Sequence, residues 1–321
     1  MLTALMLIAA AVASDPWADT IVEFSPSLDG RGLYNDPNAA LGEPTRTFID
    51  PFSGQTFRAS VVVAPLNRDE SGRKTLLTLR RGEFVKVRFD DPVEDDPRNP
   101  FGIDLLVFGN AFFIADTGID PDTNMDAVTI VGGLFREPVI VAVSPTGEGD
   151  PESNPEAWHV FADGPYGDGL FPTNAYLWDS CAHAWGAPSD FTRPVDPALV
   201  ETDFIGLSAG EAIAWYRGSG GGAGFDLAAT PFESVQYVYL TSEALGEVDG
   251  LADVAPGFAV SGDIDLDGDA DLADFARLQR CFSGGGGEIE ACDCRAADLD
   301  EDEDIDLEDY VRVYEGWSGP M

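Results

Sequence analysis

Aspartates recur at alternate positions near the C-terminal end of the chain, where their carboxylates could hold a metal ion. Residues 262–284 read GDIDLDGDADLADFARLQRCFSG, and residues 297–319 read ADLDEDEDIDLEDYVRVYEGWSG. The two stretches match in their apolar residues as well as their acids, which indicates an internal repeat rather than a solvated acidic tract. The aligned aspartates are Asp263, Asp265, Asp267, Asp269, Asp271 and Asp274 in the first copy and Asp298, Asp300, Asp302, Asp304, Asp306 and Asp309 in the second.

The spacing of these acids fits a calcium loop. Calcium takes about six to eight oxygen ligands, and a twelve-residue loop supplies them from side chains at positions 1, 3, 5, 9 and 12 and a backbone carbonyl at position 7. Glycine at position 6 allows the sharp turn. The first copy has Gly268 there and the second has Glu303. We predict two calcium ions, and a weaker second site, because a left-handed non-glycine residue costs about 1–2 kcal/mol.

Two further patterns could carry chemistry. DTGIDPDTNMD, residues 116–126, places acids and Asn124 at alternate positions but has Met125 where glycine would stand, so it is either another calcium site or a solvated acidic turn. GLSAG, residues 206–210, matches a nucleophile elbow, in which a histidine follows the serine. Both histidines of the chain precede Ser208, so the sequence favours no serine hydrolase, and we assign no catalytic residue.

The amino-acid composition limits the classes of molecule that the chain can bind. The chain has 321 residues and a formal net charge of −40, with a sequence pI near 4.1. Such a field repels nucleic acid and anionic lipid, so neither is expected as a partner, and cations are favoured. A hydrophobic content of 44% is enough for a sizeable core.

The N-terminal end predicts export. Residues 1–13 form a short apolar run that ends in an A-x-A pattern before Ser14, as in a signal peptide. The run is too short to span a bilayer, and we expect no membrane span elsewhere. In an exported protein cysteines can form disulfides. We predict that Cys281 pairs with Cys294, with Cys292 as the competing partner and Cys181 able to take the remaining thiol.

The secondary structure that must position these residues is predicted to differ between two regions of the chain. Residues 20–255 are predicted to form a mainly β domain, a β-sandwich of jelly-roll type, with long loops over residues 162–232 that suit binding. EFVKVRF, residues 83–89, alternates with Val85, Val87 and Phe89 on one face and Lys86 and Arg88 on a wet face. The other predicted strands are IDLLVFGNAFF (103–113), EPVIVAVS (137–144), AWHVF (157–161) and SVQYVYLTS (234–242).

A linker over residues 256–261 leads to a small α domain, residues 262–321. Proline and glycine before each loop leave room only for helices that follow the loops. Each helix is predicted to bury an apolar stripe. The stripe residues are Leu272, Phe275, Leu278 and Phe282 in the first helix and Leu307, Tyr310, Val311, Tyr314 and Trp317 in the second.

The duplicated D-x-D-x-D-G-like loop with one exiting helix resembles the type I dockerin family. The resemblance covers residues 262–319 and implies two calcium ions and a protein partner of cohesin-like type. Dockerins often carry a Ser-Thr pair before the last ligand, whereas this chain has Leu272-Ala273 and Leu307-Glu308. The resemblance therefore implies the metal more directly than the choice of partner.

Residues 20–255 resemble bacterial cell-surface proteins. The segments that carry the resemblance are NAALGEP, EFVKVRFDDPVEDDPRNPFGIDLLVFGNAFF and ATPFESVQYVYLTSEALGEVDGLADV. Together the two resemblances favour an exported, non-catalytic surface or recognition protein. The alternatives are a glycoside hydrolase that carries a dockerin and a structural surface-layer component. Aromatic residues in or near the loop-rich region could stack on a carbohydrate ligand or pack in the core. They are Trp158, Tyr166, Tyr176, Trp178, Trp185, Trp215 and Tyr216.

Overall fold

A computed structural model describes residues 15–25, 34–255 and parts of the C-terminal region, and shows a mainly β chain with several antiparallel sheets. The predicted signal peptide and the linker over residues 256–261 lie outside the described residues. The described C-terminal residues are 262–264, 270–287, 289, 294, 297–299, 302 and 304–317.

The strands all lie between residues 20 and 253. In chain order they are β1 Thr20–Ser25, β2 Thr47–Ile49, β3 Thr56–Arg58, β4 Leu77–Arg80, β5 Phe84–Glu94, β6 Leu105–Phe108, β7 Phe112–Ala115, β8 Ile130–Phe135, β9 Ile140–Ser144, β10 His159–Val160, β11 Tyr176–Asp179, β12 Ala184–Pro188, β13 Ala223–Phe225, β14 Ser234–Thr241, β15 Leu245–Val248 and β16 Gly250–Asp253. A five-stranded sheet has the order β1-β5-β14-β9-β10, and a three-stranded sheet has the order β13-β6-β16. The remaining strands form the pairs β11-β12, β15-β4, β2-β3 and β7-β8.

The main core lies where the five-stranded and three-stranded sheets pack together. Val85, Val87 and Phe89 of β5 are buried in one cluster with Val107 of β6, as the alternation predicts. The other face of β5 is not uniformly wet, which corrects the prediction for Lys86. Its side chain is covered by the loop after β9, and its Nζ donates to the carbonyl of Gly149 at 2.7 Å. A long apolar stem can be buried in this way when the ammonium finds carbonyl acceptors.

The three-stranded sheet is covered on both faces, because Leu106 and Phe108 of β6 point into a second buried cluster. The glycine-rich run at residues 218–224 packs against this cluster and does not form an open loop. Gly221 has a φ of +83°, and a Cβ there would lie 2.1 Å from the carbonyl oxygen of Pro172. This part of the loop-rich region is therefore closely packed against the core.

Helices are short throughout the described part of the chain. α1, Ala209–Trp215, lies in the β-rich part, whereas α2, Leu272–Cys281, and α3, Leu307–Glu315, follow the two acidic loops. Within the described residues, no helix has the length and apolar character needed to cross a membrane.

The disulfide between Cys281 and Cys294 is confirmed, with the two Cα atoms 5.1 Å apart. It joins the last residue of α2 to the segment that leads into the second loop. Cys181 is also disulfide-bonded. The predicted alternative partner, Cys292, lies outside the described residues.

Carboxyl groups are buried beside the main core. Asp249 accepts hydrogen bonds from the N–H and hydroxyl of Thr45 at 2.8 and 2.5 Å, and burial raises its pKa to about 7. Burial likewise raises the pKa of Asp168 to about 7. Glu247 accepts a 2.6 Å hydrogen bond from Thr78, but its Oε2 is buried without a partner. Burial, and then the charges of Glu137 and Asp168, raise the pKa of Glu247.

These raised pKa values make the β-rich part less stable as pH increases. A carboxyl whose pKa is higher in the folded state stabilises the fold at low pH, and that contribution is lost as pH rises through the folded pKa. The free energy of unfolding should therefore fall between about pH 5 and about pH 8. Glu247→Gln keeps the acceptor for Thr78 and removes the charge, so it should raise Tm at pH 8 by about 2–4 °C per kcal/mol gained. Thermal unfolding at both pH values checks this, with the exposed Glu233→Gln as control. A gain at pH 8 no larger than that of the control would contradict it.

Candidate metal centre

The last aspartate of each acidic loop is fully buried and ties the start of the loop to its end. Asp274 accepts hydrogen bonds from the N–H of Ile264 at 2.6 Å and of Asp271 at 2.8 Å. Asp309 in the second loop accepts from Leu299 at 2.5 Å and from Asp306 at 2.8 Å. Both copies therefore make the same two bonds at equivalent positions. A carboxylate has about four lone-pair sites, so each oxygen can still bind a cation.

The residue at position 9 of each loop begins the following helix. Asp271 accepts from the N–H of Ala273 at 2.6 Å, and Asp306 accepts from that of Glu308 at 2.7 Å. With Asp274 and Asp309 these caps form capping boxes, which satisfy N–H groups that the first helical turn leaves unpaired. The predicted ligand positions thus also set where α2 and α3 start.

Three carboxylates converge in the second loop. Oxygens of Asp304, Asp306 and Asp309 all lie within 4.8 Å of one another. Calcium binds oxygen at about 2.3–2.6 Å, so ligands of one ion can be up to about 5 Å apart, and this group fits a single ion. Asp304 is buried, its Oδ2 accepts from the N–H of Gly286, and its Oδ1 has no partner. The sequence assigned Asp304 a role through its backbone carbonyl, whereas its side chain lies in the cluster.

The other predicted ligands of the two loops are only partly described by the structure. Asp302 is exposed and accepts from the N–H of Asp304 at 3.1 Å, and the N–H of Asp302 donates to Asp298 at 3.2 Å. Glu303, on which the predicted inequality of the sites depends, lies outside the described residues, so the inequality stays a prediction. Also outside them are Asp265, Asp267, Gly268, Asp269 and Asp300.

A small core holds the second loop against α2. The N–H of Ser283 donates to the carbonyl of Ile305 at 2.9 Å, and the N–H of Ile305 donates back to the Ser283 hydroxyl at 2.9 Å. Ile305 is fully buried, together with Leu278, Val313 and the disulfide. The sequence showed no signal for this pairing, because an isolated serine after a helix has no distinctive pattern.

The predicted apolar stripes of the two helices are wrong for most of their residues. Phe282 is exposed. Five other residues of the two helices are exposed as well, and we call this group of residues the outer face of the tail. Leu278 and Val313 are the buried helix residues, each four positions after a buried aspartate and so on the same side of its helix. Asp274 and Asp309 must turn inward to accept the loop N–H groups, and this requirement selects the inner side. The outer face consists of Leu272, Leu307, Tyr310, Val311 and Tyr314.

An arginine of the β-rich part approaches the first loop. Arg193 Nη1 lies 3.9 Å from Oδ2 of Asp263, the predicted first ligand, whose side chain is almost fully buried. A positive charge at this distance partly balances the carboxylate in place of a metal ion.

The other sequence candidates are not assembled into sites. Asp126 accepts from the Ser180 hydroxyl at 2.7 Å and lies 2.8 Å from Nδ1 of His183, whereas Asn124 caps a short 3-10 helix. Among the described residues, no group of three acidic, histidine or cysteine side chains within reach of one ion includes residues 116–126. Ser208 caps α1 and bonds Glu211, not a histidine.

The aromatic residues of the loop-rich region serve different purposes. Trp158 and Tyr216 are buried, as core packing predicts, whereas Tyr166 and Trp215 are about two-fifths exposed. Tyr166 borders a cleft of about 560 Å³ that Arg136 and Asp163 also line. Asp163 is the one carboxylate among the described residues that line this cleft.

The chain matches no protein-family model and no curated protein. Its function is therefore inferred from the geometry of its own sites.

The contact between Arg193 and Asp263 predicts an effect on calcium binding. If Asp263 is a ligand, Arg193 competes with the ion. The ion pair between Arg193 and Asp263 contributes up to about 1 kcal/mol, so Arg193→Gln should tighten the first calcium site by up to about fivefold. Calorimetric titration of the full chain measures this. The exposed Arg68→Gln makes the same change in net charge and serves as control. Equal affinities for the two variants would show that Arg193 does not compete with the ion.

Proposed function

We propose that residues 262–321 form a calcium-folded, dockerin-like module that attaches an exported, non-catalytic surface protein to a protein partner. The observation that carries the proposal is the convergence of Asp304, Asp306 and Asp309, with a buried oxygen of Asp304 left without a partner. A buried, unpartnered carboxylate oxygen is costly unless a cation binds it. Oxygen donors of this kind suit calcium.

Calcium should supply much of the folding energy of this module. Two helices of ten and nine residues enclose a small core, and domains of this size are marginal without a metal or disulfide. The six aspartates of each loop repel one another when no ion is bound. Because the site forms only in the folded chain, binding energy becomes folding energy.

The outer face of the tail supports attachment to a partner. Leu307 and Tyr314 are each about two-thirds exposed, and the ring centres of Tyr310 and Phe275 lie 5.8 Å apart on the same side. Exposed aromatic side chains of this kind are enriched at the centre of protein interfaces, and neighbouring leucines extend the apolar surface around them. Leu272 and Leu307 occupy equivalent positions in the two repeats. We assign this face to a protein partner of cohesin-like type.

The β-rich part fits a recognition domain better than an enzyme. Its two main sheets share one core, which supports the proposed sandwich of jelly-roll type. The cleft beside Tyr166 offers that side chain to a carbohydrate ligand but only Asp163 as a carboxylate, whereas glycoside cleavage requires a pair about 5–9 Å apart. A glycoside hydrolase is therefore the less favoured function for this cleft.

A matched pair of substitutions tests the metal centre. Asp306→Asn keeps an oxygen that can cap α3 but removes a ligand charge, so it should weaken one calcium site by about tenfold or more. Glu308→Gln, the control, removes an exposed charge two residues away. Calorimetric titration of the full chain measures the affinities, and circular dichroism follows the helix signal as chelator and then calcium are added. The proposal fails if chelator leaves the helices intact or if the two variants behave alike.

Attachment is tested by removing the apolar side chains of the outer face. Leu307→Ser with Tyr314→Ser should lower calcium-dependent capture of a cohesin-like partner by about tenfold or more, because central interface residues dominate affinity. Phe52→Ser removes a highly exposed apolar side chain from the β-rich part and should change nothing. Surface plasmon resonance against a panel of cohesin-like domains, with and without chelator, gives the affinities. Capture that persists in the double variant, or no capture of any panel member by the parent, would contradict this role.

A further inference from the structure

Three carboxylates meet in the β-rich part, far along the chain from the acidic repeat. Oxygens of Asp95, Asp104 and Asp226 lie within 4.8 Å of one another, which is compatible with ligands of one ion. Asp95 follows β5, Asp104 precedes β6 and Asp226 follows β13. Asp104 is fully buried, Asp226 is half-buried and Asp95 is exposed, so the group opens to solvent on one side.

Backbone bonds hold these carboxylates in place. Asp104 Oδ2 accepts from the N–H of Leu227 at 2.8 Å, which brings the segment after β13 against the start of β6. Asp226 Oδ1 accepts from the N–H of Ala228 at 2.7 Å and caps a short 3-10 helix. The N–H of Asp95 donates to the carbonyl of Glu233 at 2.9 Å. The carboxylates of Asp104 and Asp226 are therefore held by the fold, and the backbone of Asp95 is fixed beside them.

An asparagine adds an independent sign of a missing ligand. Asn99 is 5% exposed, and its Nδ2 donates to Asp104 Oδ1 at 2.8 Å, so its amide faces the group. Its Oδ1 is buried and has no hydrogen-bond partner. Rotation by half a turn would exchange the amide oxygen and nitrogen. In that turned orientation the oxygen faces the carboxylates, and a cation bound between them would be its partner.

No salt bridge within the described residues joins a basic side chain to Asp95, Asp104 or Asp226. Arg98, the nearest basic residue in the sequence, directs its guanidinium to Asp96, which lies outside the group. Asp91 and Glu94 add further carboxylates to the same segment. Negative charge has thus accumulated along the segment that carries Asp95.

We propose that Asp95, Asp104, Asp226 and the amide oxygen of Asn99 form a third divalent-cation site, selective for calcium over magnesium. Four protein oxygens suit calcium, whereas magnesium usually keeps several waters and takes one or two carboxylates. The ion joins the ends of β5 and β13 to the start of β6 and so fastens the two main sheets at one edge. This site is independent of the tail and of its attachment role.

The full chain with Trp317→Phe provides a clean test, because the remaining five tryptophans all lie in the β-rich part. Their fluorescence then reports thermal unfolding of that part alone. If the dissociation constant is about 1 mM, as in extracellular modules, 10 mM calcium should raise this Tm by about 3 °C. Magnesium at the same concentration should raise it less.

Asp95→Asn with Asp226→Asn should abolish the calcium-dependent shift and lower the number of bound ions in calorimetric titration by one. Asparagine preserves the cap at Asp226. Asp95→Asn alone, at an exposed position, is the second variant in case the double variant misfolds, and it should weaken the site by about tenfold. The control, Asp96→Asn, makes the same charge change next to the site and should keep the shift. Three results would each overturn the proposal: no shift in the parent, a shift in Asp95→Asn as large as that of the parent, or equal losses in Asp96→Asn.

Discussion

Negative charge is the constraint on which this structure depends. A net charge of −40 opposes the compact state through repulsion between carboxylates. Nine acids of the described residues are nevertheless buried, and each needs a compensating donor or cation. The fold supplies backbone N–H groups to Asp104, Asp168, Asp249, Asp274 and Asp309. Where such donors run short, as at Asp304, a buried carboxylate oxygen is left without a partner.

The alternation of apolar residues predicted much of the β-rich part. Strands were expected at 83–89, 137–144, 157–161 and 234–242, and β5, β9, β10 and β14 lie there. The apolar run at 103–113 proved to be two strands, β6 and β7, separated by Gly109, Asn110 and Ala111. Lys86 shows the limit of the method, since alternation cannot reveal that a distant loop will cover the second face of a strand.

The repeat was more informative than the helical stripes. Equivalence of Asp274 and Asp309 was evident in the sequence, and the structure gives them the same hydrogen bonds. The stripes failed because the orientation of each helix is decided by its buried aspartate, with Leu278 and Val313 following it inward. The group of Asp95, Asp104 and Asp226 was invisible for another reason: its members are more than a hundred residues apart at their extremes and meet only through sheet pairing.

The shared role of Asp274 and Asp309 bears on how the tail arose. Each of these carboxylates lies in the first turn of its helix and accepts N–H groups from the start of the loop and from the residue that caps the helix. A duplication that copied a helix alone would have lost its cap, and one that copied only the residues before the helix would have lost the anchoring acid. The heritable unit of this tail is therefore the loop together with its helix, and the boundary between successive units falls in the glycine-rich segment after α2.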